Sequence, residues 1–142
     1  MEESMGGASL PSGPDAKKRC VSYFYESSID DYYYGQGHPM KPHRIRMAHN
    51  LMVHYSLHHR IEINRPFLAN PFDIRRFHFE DYVDFLTFVT PKTLSDHSFS
   101  RHLKRFNISK DCPLFEFYQS FAGGSIDATV KLNRGDVDIA LN

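Results

Sequence analysis

Valine and aromatic side chains crowd into Val21 to Tyr25, VSYFY, which predicts a short first strand. From Pro42 the apolar spacing changes to steps of three and four. Ile45, Ala48, Met52 and Tyr55 form one stripe, predicting a helix from Pro42 through His58 with proline in its first turn. A second strand is expected around Glu62 to Arg65, ended by Pro66. Phe79, Tyr82, Leu86 and Val89 predict a second amphipathic helix closed by Pro91, and a third runs from about Leu114 to Leu132 across the small residues AGGS. DVDIALN, Asp136 to Asn142, reads as a buried strand. Strands alternating with helices indicate an α/β domain with a parallel sheet. Residues 1–18, rich in Gly, Ser and Pro, read as a disordered tail ahead of a domain at 19–142.

Composition narrows the classes of function. A chain of 142 residues fits one domain with a sizeable core. Its 17 basic and 17 acidic residues cancel, so no general polyanion binding, and no direct DNA binding, is expected. The 41% hydrophobic and 14% aromatic content belongs to a folded chain. Cys20 and Cys112 are too few for a disulfide framework and point to a reducing compartment. No apolar run reaches the roughly 20 residues of a membrane span, and no signal peptide opens the chain, so a soluble intracellular protein without membrane contact is expected.

The candidate chemistry is sparse. His54 and His58 have the i, i+4 spacing of zinc ligands, yet no third ligand accompanies them, and a solvated helical face explains them. Asp136 and Asp138 form a D-x-D that lacks the further oxygens a hard cation needs. Cys112 precedes Pro113 with no base partner in view. No phosphate loop, dinucleotide or nucleophile-elbow motif is present. The stretch from Tyr32 to Asn50, YYYGQGHPMKPHRIRMAHN, stands apart. No acid interrupts the chain from Tyr32 through Ile61, and Lys41, Arg44 and Arg46 gather at a helix start, where free N–H groups already favour an anion. Gly35 and Gly37 let the backbone approach a ligand. A solvated basic face explains the same residues.

YYYGQGHPMKPHRIRM closely resembles the N-terminal signature of class I histone deacetylases. The resemblance extends from about Arg19 to Asn142 through VSYFY, RFH, KRFN, DCP, AGGS, KLN and DIALN. It implies the N-terminal part of an arginase/deacetylase-like three-layer α/β/α sandwich around a parallel sheet, and a partial histone deacetylase domain at 19–142. The family hydrolyses the acetyl-lysine amide with zinc held by two aspartates and a histidine, aided by a histidine pair and a tyrosine. By the same resemblance Asp111 matches the aspartate at the rim of the substrate channel. Arg44, Tyr33, Tyr34 and Met40 match the internal cavity, and Gly37 with Lys41 matches part of an inositol-phosphate site shared with a corepressor.

The departures shape the functional expectation. In the family, the strand matched by DIALN leads into a glycine run and the catalytic histidines. The metal motif and catalytic tyrosine lie further on, as do the arginines that complete the anion site. None of these falls within the 142 residues, and Asp136 and Asp138 belong to the preceding strand. Expected, therefore, is a truncated, catalytically inactive deacetylase-like protein without a cofactor of its own. It would be nuclear by resemblance, or cytoplasmic, and would contact corepressor or histone-associated proteins. The alternatives are zinc-dependent deacetylation completed by a longer form or a partner chain, and a degenerate product with no role. The family also carries a few more residues between Pro113 and Leu114, whose loss here re-aims the rim loop or shifts the start of the third helix, and a small residue where Asp127 stands. The strand DVDIALN should keep one edge open, leaving Val137, Ile139 and Leu141 poorly covered and the chain prone to self-association.

Overall fold

The computed structural model describes residues 18–94, 96–108 and 115–142. Three strands, β1 (Val21–Phe24), β2 (Glu62–Asn64) and β3 (Ile139–Leu141), form one parallel sheet in the order β2-β1-β3. Ser22 pairs with Glu62 on one side of β1 and with Ala140 on the other. Being central, β1 is the best-covered strand: Ser22, Tyr23 and Phe24 are all buried. The expected α/β class with a parallel sheet is what the chain adopts.

The helices are α1 (His43–His54), α2 (Pro71–Arg75), α3 (Glu80–Phe88), α4 (Pro91–Leu94), α5 (Ser100–Arg105) and α6 (Phe115–Arg134). α6 crosses the sheet and is stitched to the segment after β2. The Ala69 N–H donates to the Gln119 carbonyl at 3.0 Å, and the Gln119 side chain returns a bond to the Ala69 carbonyl at 2.9 Å. Lys131 Nζ reaches Glu62 at 2.6 Å and sits over the Phe24 ring. Phe117, Ser120, Gly123 and Gly124 form its buried face. A separate small core joins α3 to the following segment, where Phe85, Val89 and Leu103 are buried against Leu94, Phe99, Phe106 and Ile108.

Several expectations need correction. The first helix does not reach His58. It stops at His54, and Ser56 in the left-handed region, at φ 56°, turns the chain into a separate 3-10 turn at Leu57–His59. α1 buries none of its residues, so its share of the apolar stripe, Ile45, Ala48 and Met52, is exposed or half-buried. In α3 the buried positions are Val83, Phe85 and Leu86, while Phe79 is the N-cap and is 85% exposed. The last strand is shorter than expected: pairing begins at Ile139, and among the described strands it has a neighbour on one side only. Leu141 is 44% exposed, in line with the poor covering expected of an open edge, whereas Val137, expected to be poorly covered too, precedes the strand and is buried. The tail assigned to 1–18, apart from Lys18, lies outside the described residues.

Candidate functional site

The turn ahead of α1 is built by a few local contacts. Gly35 and Gly37 have φ values of 96° and 78°, the left-handed region that favours glycine. A Cβ on Gly37 would meet nothing within 4 Å, so it is the backbone conformation that calls for glycine there. His38 Nδ1 accepts the Met40 N–H at 3.1 Å, and its ring stacks on Tyr34 with centroids 4.9 Å apart. Pro42 then caps α1 with no side-chain hydrogen bond, and no acid occupies the first turn. The positive end of the helix is thus left without a compensating carboxylate.

Around this turn the structure separates the basic residues. Lys41 Nζ lies 5.8 Å from the centroid of the Tyr33 ring. Arg44 is exposed and its Nε donates to the Lys41 carbonyl at 3.3 Å. Arg46 is drawn the other way. Its guanidinium bonds Asp30 at 3.3 Å and Asp31 at 2.6 Å, and those two carboxylates raise its already high pKa further, Asp31 first. Arg46, grouped by sequence with Lys41 and Arg44, therefore has carboxylate partners of its own. The sequence gives little sign of this, since Asp30 and Asp31 look like an ordinary solvated pair.

Behind the turn lies a cavity of about 440 Å³, predominantly carbon-lined. Tyr23 of β1 and Tyr25 just beyond it, Tyr34 and Met40 of the turn, Ile45 and Ala48 of α1, and Phe117 and Phe121 of α6 form its wall. Burial and the nearby Asp30 carboxylate push the Tyr23 hydroxyl up, and the same causes with a hydrogen bond to Asp30 bring Tyr25 to about 12. At the rim, Asn142 Nδ2 donates to the Phe121 carbonyl and to Ser125 Oγ, both at 2.9 Å.

Of the four residues expected at an internal cavity, Tyr34 and Met40 line this one. Tyr33, at 67% exposed, and Arg44 are not among its lining residues. Gly37 and Lys41 sit in the turn and at the helix entrance, outside the cavity lining. Asp111, and with it Cys112 and the shortened segment before Leu114, lies outside the described residues. Phe117 and Phe121, absent from the sequence reading, stand one turn apart on α6; their i, i+4 spacing was the available signal.

The described residues do not compose a zinc site. Among them no group of three or more His, Cys, Asp or Glu is placed to hold a metal ion. His54 and His58 fall on different elements because α1 ends between them, and His54 Nδ1 is engaged with the Asn50 carbonyl at 3.0 Å. Asp138 has a structural partner instead, accepting the Cys20 N–H at 2.7 Å where β3 joins β1. Asp127 is satisfied too, accepting the Phe67 N–H at 3.3 Å from a half-buried position. Also among the described residues, no helix is long and apolar enough to cross a membrane.

No protein-family model matches the chain. Individual proteins do. The chain is 62% identical over 146 residues to histone deacetylase 6 of Arabidopsis thaliana, covering all of this chain and 31% of that protein. It is 54% identical to histone deacetylase 19 of the same plant, over 96% of the chain and 28% of the relative. With histone deacetylase 1 of Bos taurus the identity is 48%, over 88% of the chain and 26% of the relative. It thus spans less than a third of the length of these curated relatives. Over its whole length the chain is a homologue of the histone deacetylases, corresponding to their N-terminal portion.

Proposed function

We propose that these 142 residues supply the cavity wall and anion-binding corner of a histone deacetylase-type fold and, by themselves, do not hydrolyse acetyl-lysine. In this reading the polypeptide acts through contacts with corepressor or histone-associated proteins in the nucleus, and through its open sheet edge with further copies of itself. The carrying observation is a mismatch. Similarity to histone deacetylases extends over all of the chain, yet among its described residues no His, Cys, Asp or Glu grouping suits a metal. Zinc-assisted amide hydrolysis needs about three protein ligands and an activated water, so the chemistry requires residues from elsewhere.

A second reading has an observation in its favour. β3 is paired on one edge only among the described strands, and α1 buries none of its residues. These are surfaces that a further portion of the same fold would cover. In that case a longer form or a partner chain supplies the metal ligands, and the whole is a zinc-dependent deacetylase.

Both readings meet in one experiment. The purified 142-residue chain, free of host deacetylases, is assayed for bound zinc and for deacetylation of an acetyl-lysine peptide. The expected result is neither. Stoichiometric zinc with inhibitor-sensitive turnover would overturn the first reading. Activity that appears only on adding the separately produced remainder of a related deacetylase supports the second.

A further inference from the structure

α1 is fastened to the rest of the chain by polar and aromatic contacts. None of its residues is buried, so the apolar burial that seats α3 and α6 does little to hold it. Arg46 of α1 bonds Asp30 Oδ2 at 3.3 Å and Asp31 Oδ1 at 2.6 Å. The Asp30 side chain is fully buried, whereas that of Asp31 is 73% exposed. The same Asp30 Oδ2 accepts the Tyr25 hydroxyl at 2.7 Å. Tyr25, just beyond β1, lies flat on His49 of α1, with centroids 3.8 Å apart and planes 3° apart. One carboxylate oxygen therefore ties the end of β1 to α1.

We propose that Asp30 is a charge latch: its buried carboxylate seats α1 against the sheet, and releasing it frees α1 as a unit and opens the cavity behind it. Three features support the assignment. A buried carboxylate is stable only while its cation stays, so Arg46 and Asp30 hold or separate together. Asp30 Oδ1 has no hydrogen-bond partner, so the carboxylate makes these bonds through one oxygen and is incompletely satisfied even when closed. Ile45 and Ala48 of α1 line the cavity together with Phe117 and Phe121 of α6, so movement of α1 away from the sheet and α6 widens it. The same movement carries the Lys41 and Arg44 entrance along. None of this rests on the deacetylase reading.

The test is amide hydrogen exchange on the full chain, comparing α1 with α6 and β1. Asp30→Asn and Arg46→Gln should each speed exchange across His43–His54 at least tenfold while leaving α6 within about twofold. Asp31→Asn, at an exposed pair, should change α1 by less than threefold. Arg46→Lys, which keeps the charge, should restore most of the protection. Equal acceleration of α1 and α6 would show Asp30 to be an ordinary stabilising residue and overturn the latch, as would unchanged exchange in α1. Failure of both Asp30→Asn and Arg46→Gln to fold overturns it too, because a latch is separable from the core.

Discussion

Gly123 of α6 lies so close to the main chain at Phe67 that a Cβ built on it would stand 1.8 Å from the Phe67 carbonyl oxygen. The obstacle is backbone, held in place by the paired bonds between Ala69 and Gln119, and cannot swing aside. Gly123→Ala gains about 1 kcal/mol of helix propensity but forces α6 off the segment after β2, an overpacking that costs about 3 kcal/mol. The expected net loss is about 2 kcal/mol in denaturant unfolding. Gly124→Ala meets the Asn142 side chain instead, whose amide can turn away, and should cost less. Equal stability of the two variants would contradict this close-approach account.

Tyr25 should give the chain an alkaline limit. Burial first, then its bond to Asp30 and that carboxylate's charge, push the hydroxyl from 10.0 to about 12. The folded state thus holds the phenol proton more tightly than the unfolded chain. That contribution is complete below pH 10 and is lost as pH rises through about 12. Tyr25→Phe should cost about 1–2 kcal/mol at neutral pH by removing the hydrogen bond to a carboxylate. It should also flatten the fall in stability between pH 10 and 12. Denaturation at stepped pH, beside ultraviolet titration of tyrosinate, reads both. An unchanged slope in the variant argues against the assignment.

Anion binding at the α1 entrance should be weak. With Arg46 paired to Asp30 and Asp31, Lys41 and Arg44 are left beside the uncapped helix start. Calorimetry with inositol hexakisphosphate on the 142-residue chain should give a Kd above about 100 µM. Lys41→Ala should weaken binding by roughly fivefold, the scale of one exposed charge at a helix end. Submicromolar affinity that survives Lys41→Ala would count against this corner as the binding site.

The edge of β3 left unpaired among the described strands should make the chain associate. An unpaired strand edge offers N–H and C=O groups to another chain, and the exposed Leu141 adds apolar surface. Sedimentation velocity at tens of micromolar is expected to show oligomers, reduced when the chain is ended at Arg134. A compact monomer with β3 amides protected from exchange would refute the open-edge expectation.

Sequence legibility followed the length of each pattern. α6 and α3 carry enough turns for apolar spacing to show, and β1 was plain from its aromatic content. α4 and α5, at four and six residues, hold too few periods to register. α2 was findable by another signal. Asn70, Pro71 and Asp73 spell a capping box with proline at the first helical position, and both reciprocal bonds form. The end of α1 at Ser56 was not readable, because serine takes a positive φ without advertising it as glycine does. Periodicity left the burial of α1 undecided: it reports that a helix has an apolar face, not that something lies against it. The turn from Gly35 to Met40 was located by sequence, while the buried role of Asp30 depends on tertiary contacts across 16 residues to Arg46.

The strand order carries a cost in time. β1 leaves the ribosome before both of its neighbours, which arrive far apart. The Asn64 side chain reaches back 42 residues to Ser22, and Asp138 reaches back 118 residues to Cys20. Until Ile139–Leu141 emerge, one side of a strand rich in tyrosine and phenylalanine has no mate. Closing so long a loop is slow, and the waiting edge is sticky. During synthesis, the central strand of the sheet therefore waits with an edge that a chaperone would usefully cover.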